Sequence, residues 1–132
     1  MEQKRQKKSG TPNSIRESLK KATTEMMVLY LLREKPMYTY EMMNTIEKRS
    51  NGAITFNTLY QTIYRLQEFQ YIKEFSKVMS EDNRVRIYFC ITDTGSAYLE
   101  ELIAEYQSFT GTLNHILGLT QRGIEGWSKA AI

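Results

Sequence analysis

The chain has 132 residues, a formal net charge of +3, one cysteine and one histidine. This length predicts one domain with tails, whose modest core would gain from pairing with a second copy. The sequence has no apolar run of membrane length and no charged-then-apolar leader, so we expect a soluble, cytoplasmic protein. The lone Cys90 excludes an internal disulfide, and Cys90 with His115 leaves too few soft ligands for a structural zinc site.

The charge is unevenly divided along the chain. Basic and acidic residues number four against one in residues 1–14, twelve against nine in residues 15–92, and two against five in residues 93–132. The first two segments are therefore positive and the last is negative, which favours a polyanionic partner at one end only. A chance division of small numbers is the alternative interpretation.

The N-terminal pattern predicts a basic arm followed by a long helix. Residues 1–13 are polar and include Lys4, Arg5, Lys7 and Lys8, which is typical of a disordered segment. Ser14 and Glu17 then have the spacing of a capping box. Apolar residues recur every three or four positions from there, and Pro36 should end the helix.

The next segment predicts two shorter helices. The first runs from Thr39 to about Arg49, with Met43 and Ile46 facing inward and Gly52 providing a left-handed cap. Residues 54–56 are β-branched or aromatic and predict a short strand. Thr55 or Asn57 would then cap a third helix that ends near Gln70.

The third helix has one apolar and one polar face. At about 100° per residue, Leu59, Ile63 and Leu66 cluster on one side. The opposite side carries side chains that donate and accept hydrogen bonds, namely Asn57, Gln61, Tyr64, Arg65 and Glu68. Such groups suit base edges and phosphates, although most polar helix faces are only solvated.

A β-hairpin is predicted after this helix. Residues 71–78 and 85–91 are rich in β-branched and aromatic side chains, and residues 80–83 have turn chemistry. Alternation places Val85, Ile87, Phe89 and Ile91 on an inward face and leaves the other face basic. Lys77, Arg84 and Arg86 near the tip could pair with phosphates, while Glu81 and Asp82 oppose a purely electrostatic contact.

Thr92 should cap a long fourth helix, which we assign to residues 93–118. Its apolar residues are spaced three and four apart, as in a heptad seam: Leu99, Leu102, Tyr106, Phe109, Leu113 and Ile116. So regular a seam predicts a dimer interface with a second copy of the chain, although packing against the first helix is the alternative. Residues 119–132 are expected to be a loosely ordered tail.

Catalysis is poorly supported by the sequence. It has no nucleophile elbow, no phosphate-binding glycine loop and no pair of metal ligands at helical spacing. We therefore predict no catalytic residues, no metal and no cofactor. His115 is interpreted as a surface or interface side chain, and Cys90 as a small buried strand residue.

Four motifs resemble the PadR family of winged-helix transcriptional regulators. Residues 25–32 resemble the family's glutamate and apolar first-helix core, and residues 38–41 its Gly-Tyr-Glu signature. Residues 58–60 with Arg65 and Leu66 resemble its recognition helix, and residues 86–92 with Gly95 its wing strand and entry to the fourth helix. The resemblance covers about residues 14–117.

The resemblance implies a homodimeric transcriptional regulator, usually a repressor, of the short type. Some members bind flat aromatic or cationic compounds in a pore between subunits, and Tyr106 and Phe109 occupy positions that could line such a pore; ordinary interface packing is the alternative.

Two kinds of departure matter. The family often has glycine at the positions of Thr39, Asn57 and Gln70, and Gln70 is expected to strain the turn into the hairpin or change its shape. Val85 with Arg86 replaces a basic pair in the wing, which lowers the expected strength of wing–phosphate binding.

The predicted fold is mainly α with a small antiparallel β-hairpin (α+β), a winged helix-turn-helix at residues 14–92 followed by a dimerisation helix. The predicted partners are double-stranded DNA, a second copy of the chain and a small aromatic effector, with no membrane. DNA contacts are assigned to nine residues: Asn57, Thr58, Tyr60, Gln61, Tyr64, Arg65, Lys77, Arg84 and Arg86. The alternatives are a winged helix used as a protein-interaction module and a small-molecule sensor whose DNA contact is secondary.

Overall fold

The computed structural model describes residues 10–119. Within them, four helices and a three-stranded antiparallel sheet follow one another as α1 (Pro12–Glu34), β1 (Met37–Tyr38), α2 (Thr39–Arg49), α3 (Tyr60–Glu68), β2 (Ile72–Met79), β3 (Val85–Ile91) and α4 (Asp93–Leu117). The sheet order is β1-β3-β2. This is the predicted α+β winged helix with a long final helix. The predicted arm cations, Lys4, Arg5, Lys7 and Lys8, lie outside the described residues.

The N-cap of α1 lies three residues earlier than the predicted cap at Ser14. Thr11 is the N-cap, its Oγ1 accepting from the backbone N–H of Ser14 at 3.3 Å, and Pro12 occupies the first turn. Proline is favoured there because its missing N–H would have no partner within the helix. The helix ends at Glu34, before Pro36, as predicted.

Helix α2 has the predicted bounds and the predicted left-handed ending. Asn51 and Gly52 both have positive φ, and the Gly52 N–H donates to the carbonyl of Glu47 at 2.8 Å. Met42 and Ile46 are buried, whereas Met43 is only half-buried. The buried stripe is therefore displaced by one residue from the predicted Met43.

The strand predicted at residues 54–56 is wrong. The Ile54 N–H donates to the Ser50 hydroxyl at 2.9 Å, and the Thr55 carbonyl accepts from Lys20 Nζ of α1 at 2.8 Å. These side-chain bonds satisfy the loop backbone without a partner strand. The short strand lies instead at β1, where Met37 pairs with Phe89 and Tyr38 with Tyr88.

One core joins α1, α2, α3 and the sheet. Its buried apolar residues within residues 10–97 are Val28, Leu29, Leu31, Leu32, Met37, Met42, Ile46, Leu59, Ile63, Leu66, Ile72 and Phe89. Burying such side chains stabilises a fold by about 1.5–3 kcal/mol each before entropy is subtracted. The chain divides into two units between Ala97 and Tyr98, and the winged helix lies in the first.

The turn from α3 into β2 is a Schellman motif formed without glycine. The N–H of Tyr71 donates to the carbonyl of Leu66 and the N–H of Gln70 to that of Gln67, both at 2.9 Å. Gln70 consequently has a φ of 63°. The strain expected from the missing glycine is therefore present, but the turn keeps its usual hydrogen bonds.

The entry to α4 requires a close approach of backbones. Thr92 caps the helix as predicted, its Oγ1 accepting from the Gly95 N–H at 3.0 Å. A Cβ at Gly95 would overlap the carbonyl oxygen of Tyr71 and lie 2.8 Å from Cγ1 of Ile91. Only glycine fits at this position without displacement of the strand.

Candidate nucleic-acid interface

The outer face of α3 is exposed and polar, as the sequence predicted. Leu59, Ile63 and Leu66 are buried on the opposite side. Four side chains project outward: Gln61, Tyr64, Arg65 and Glu68. By helical angle, Gln61 and Glu68 lie near the centre of the exposed face, with Tyr64 on one flank and Arg65 on the other.

The approach to α3 differs from the prediction. The helix runs from Tyr60 to Glu68, so neither Thr55 nor Asn57 is its cap. Leu59 is the N-cap residue and provides no side-chain hydrogen bond, whereas Thr58 Oγ1 accepts from the Tyr60 N–H at 3.2 Å. Asn57 and Thr58 therefore lie exposed in the preceding loop. Burial of Leu59 sets the helix start here, in place of a polar cap.

A tyrosine-rich groove separates α3 from the hairpin. Tyr60 and Tyr64 stack with ring centroids 6.1 Å apart and are 61% and 65% exposed. The groove has a volume of about 780 Å³, and its walls include Tyr38, Tyr40, Val85 and Ile87. Sequence reasoning identified Tyr60 and Tyr64 individually but not their stacking with each other or the groove.

On the other flank, α3 is tied to α1 by an ion pair. Arg65 Nε lies 2.7 Å from Oε2 of Glu25, and the two side chains are 59% and 21% exposed. The sequence singled out Arg65 for its position and noted Glu25 only within a motif. Glu25 could have been found from the sequence, because it is an acid at the start of an almost wholly apolar helical segment and a buried acid needs a partner.

Arg86 of the wing already contacts a side chain of the same chain, Tyr38. Its guanidinium donates to the Tyr38 hydroxyl at 2.6 Å and lies 4.7 Å from the centre of the Tyr38 ring. Tyr38 in turn meets Tyr88 edge to face, with centroids 5.2 Å apart. This arrangement joins β3 to β1 by side chains as well as by backbone pairing.

The other two cations predicted for DNA contact in the wing are exposed beside acids. Lys77 Nζ lies 3.9 Å from Glu74 Oε1, and Arg84 Nε lies 3.6 Å from Asp82 Oδ2. A hydrogen bond from the Ser80 hydroxyl, together with the charge of Arg84, holds the pKa of Asp82 below its ordinary value. The turn therefore keeps its negative charge at neutral pH, and the local positive charge of the wing is weak.

The apolar face of the hairpin continues beyond the core. Met79 pairs with Val85 across the strands, and these side chains are 63% and 57% exposed. Of the face predicted to be inward, Phe89 alone is buried, while Ile87 and Ile91 are half-buried. The prediction of burial is thus wrong for Val85, because the hairpin extends past the body at its tip.

The seam of α4 is uncovered over most of its length. Leu99 is buried and Leu102 half-buried, but Tyr106, Phe109, Leu113 and Ile116 are 48%, 65%, 38% and 71% exposed. Apart from its chain neighbours and the nearby backbone of α4, no described atom lies within 4 Å of the place where a Cβ on Gly111 would be. On α1, Ile15 and Leu19 are also more than half exposed. On each helix, exposed apolar side chains of this kind mark an interaction surface.

Two other features of residues 10–119 bear on function. No helix in this range is long and apolar enough to cross a membrane. No cluster of three or more histidines, cysteines, aspartates or glutamates in this range could hold a metal ion.

Comparison with known proteins agrees with this architecture. A solved transcriptional regulator from Clostridium thermocellum is 25% identical, with a TM-score of 0.66 over 74% of this chain and 96% of that one. A PadR-like regulator from Bacillus cereus is 25% identical, with a TM-score of 0.63 over 76% and 96%. An uncharacterised protein of Lysinibacillus sphaericus is 29% identical over 84% of this chain and 99% of its own.

The family model of the PadR-like transcriptional regulators matches residues 28–101, more than half of the chain. These residues run from the core of α1 through α2, α3 and the hairpin into α4. The chain therefore belongs to the PadR-like family of transcriptional regulators.

Proposed function

We propose that the chain is a sequence-specific DNA-binding repressor that acts in the cytoplasm as a homodimer on a pseudo-palindromic operator. The observation that carries this proposal is the outer face of α3, where exposed groups able to read bases stand on a helix anchored by three buried leucine and isoleucine side chains. A helix of this kind fits the major groove, and two related by symmetry fit two half-sites.

The proposed contacts fall into two classes. Gln61, Tyr64 and Arg65 would meet base edges or the adjacent phosphates. Asn57, Thr58 and Tyr60, which lie before or at the start of α3, would meet the sugar-phosphate backbone. This division follows the positions of the two sets, since the second lies where α3 would meet the edge of a groove.

The wing would contribute less to DNA binding than a hairpin with unpaired basic side chains does. Lys77 and Arg84 are exposed and could turn toward phosphates, but each would have to leave an acidic neighbour. Arg86 would have to give up its bond to Tyr38. We therefore assign the wing a supporting role, with Lys77 and Arg84 ahead of Arg86.

Dimerisation through α4 is supported by its exposed seam. Tyr106, Phe109, Leu113 and Ile116 would be covered by a second copy, because leaving them in water forfeits the gain of burial. Tyr106 and Phe109 would also offer flat rings to a small aromatic or cationic effector that releases the operator. Ordinary interface packing of both rings is the competing account.

A second candidate function is a winged helix that binds another protein instead of specific DNA. The observation that favours it is the wing. Lys77 and Arg84 lie beside acids and Arg86 contacts Tyr38, and the tip exposes the apolar side chains of Met79 and Val85. The outer face of α3 favours DNA. We regard catalysis as no part of the function, because the proposed contacts require binding alone.

The test is selection of random-sequence duplexes by the purified full chain, followed by sequencing of those retained. The proposal predicts enrichment of one motif with two inverted half-sites. Gln61→Ala should weaken or alter that enrichment, whereas Lys48→Ala, an exposed change on α2, should not. Retention of duplexes without any common motif would contradict sequence-specific binding and favour the protein-interaction alternative.

A further inference from the structure

The ion pair between α1 and α3 joins a mostly buried acid to an exposed arginine on the DNA-facing helix. Glu25 Oε2 lies 2.7 Å from Arg65 Nε, with side-chain exposures of 21% and 59%. We propose that Glu25 is a positioning residue for DNA recognition, which holds the Arg65 guanidinium so that its outer edge reads a guanine. This inference rests on the proposed DNA-binding function and assigns a role to a residue on a different helix.

The chemistry of the guanidinium allows Arg65 to bind a carboxylate and a base together. Arginine has five N–H donors in a planar fork, and a carboxylate beside Nε leaves the edge between the two terminal nitrogens open. The two terminal nitrogens form the edge that matches O6 and N7 of guanine in the major groove. One side chain can therefore bind Glu25 and a base at the same time, with the two sets of bonds on different edges of the planar group.

Because of where Arg65 lies, the direction of its side chain decides whether it contacts a base or a phosphate. It lies on the α1 flank of the outer face, while Gln61 lies near the centre, so an unrestrained Arg65 could reach phosphates as readily as a base. Long side chains lose rotamer entropy when they bind, and a side chain already held in one direction loses less. The nearby carboxylate thus favours the specific contact over the nonspecific one.

The charge of Glu25 adds a second, opposite effect. A carboxylate beside the DNA-facing helix repels phosphates, and Arg65 offsets that repulsion only while it stays paired. Removal of the charge should therefore weaken base discrimination but leave sequence-independent binding equal or stronger. A role confined to packing α3 against α1 predicts something different, namely that both kinds of binding fall together as the fold loosens.

The experiment is a double-mutant cycle on the duplex retained in the selection above. Affinities of the parent, Glu25→Gln, Arg65→Ala and the double variant are measured for that duplex, for versions with each guanine replaced, and for a scrambled duplex. We expect Glu25→Gln to reduce the preference for one guanine by about threefold to tenfold while scrambled-duplex binding is unchanged or tighter. In the Arg65→Ala background the same change should leave the preference unaltered.

Matched variants separate positioning from charge and from folding. Glu17 is another acid of α1, and its Oε1 lies 3.3 Å from Lys20 Nζ. Glu17→Gln removes this charge and should leave the guanine preference intact. Arg65→Lys keeps the positive charge but loses the planar fork, and should bind scrambled DNA like the parent while losing the preference. Thermal unfolding of each variant shows whether it is folded at the assay temperature.

The possible results separate the positioning role of Glu25 from the proposed DNA-binding function. If Arg65→Ala loses the guanine preference and Glu25→Gln keeps it, the positioning role is overturned while DNA binding stands. If Arg65→Ala keeps every base preference, Arg65 reads no base and the inference is also overturned. If the parent itself prefers no duplex, both the proposed function and this inference are contradicted.

Discussion

The Arg86 guanidinium donates to the hydroxyl of Tyr38 at 2.6 Å and lies 4.7 Å from the centre of the same ring. The two residues belong to adjacent strands, where Tyr38 pairs with Tyr88. One arginine therefore makes both a charge-assisted hydrogen bond and a cation–π contact across the sheet. In the free protein Arg86 therefore links the wing strand β3 to β1, a contact that the alternation of basic residues along β3 does not predict.

Replacement of Arg86 by alanine should destabilise the fold. We expect the free energy of unfolding to fall by about 1–2 kcal/mol, because the change removes both contacts of a half-buried side chain. Arg84→Ala is the matched control, since Arg84 is on the same hairpin with an 82% exposed side chain. Urea unfolding should place Arg84→Ala within about 0.5 kcal/mol of the parent, and equal losses for the two variants would refute the role of Tyr38.

Gln70 is a site where a single substitution should stabilise the protein. Its φ of 63° is unfavourable for a residue with a Cβ. Gln70→Gly should raise the free energy of unfolding by about 0.5–1 kcal/mol, the relief of strain exceeding the extra entropy of glycine in the unfolded chain. Gln61→Gly, inside α3, should instead lower it by about 1 kcal/mol. A shift of the urea midpoint in the same direction for both would contradict this account of the turn.

Gly95 and Gly111 should respond to alanine in opposite ways. A Cβ at Gly95 would overlap the Tyr71 carbonyl, so Gly95→Ala should cost about 2–3 kcal/mol. Gly111 has open space around it within the chain, so Gly111→Ala should be neutral or gain up to about 1 kcal/mol from helix propensity. Thermal unfolding measures both; a Gly95→Ala variant as stable as the parent would exclude the close approach.

The dimer proposal predicts that a charge on the seam separates the subunits. Phe109→Glu places a carboxylate where the proposed interface is apolar, and should weaken dimerisation at least about a hundredfold. Gln107→Glu, an exposed neighbour off the seam, serves as the control. Sedimentation velocity should give a monomer for the first and a dimer for the second. Dimers of unchanged strength for Phe109→Glu would place the interface elsewhere.

Local chemistry explains how much of the fold could be predicted. Pro36 and Gly52 mark the boundaries around α2, and those boundaries were predicted because each residue restricts its own backbone. The two-residue strand β1 was missed, since it exists only through pairing with β3. The start of α3 was misplaced because burial of Leu59 outweighed the capping preference of Asn57.

In the candidate site, too, features set within one element were predicted, whereas contacts between elements were not. The exposed face of α3 was predicted because helical periodicity assigns faces within one element. The partners of Arg65 and Arg86 were not, because Glu25 and Tyr38 are brought to them by tertiary packing between elements distant in sequence. Sequence pattern therefore identified which residues face outward but not which of their charges the fold already engages.

The most direct test of sequence-specific DNA reading is an anisotropy titration of the selected duplex with the full chain, at two salt concentrations and with excess scrambled duplex present. The account predicts binding that survives the competitor, weakens steeply with salt because phosphate contacts release counterions, and saturates at two chains per duplex. Binding abolished by the competitor at both salt concentrations would contradict sequence-specific recognition by α3.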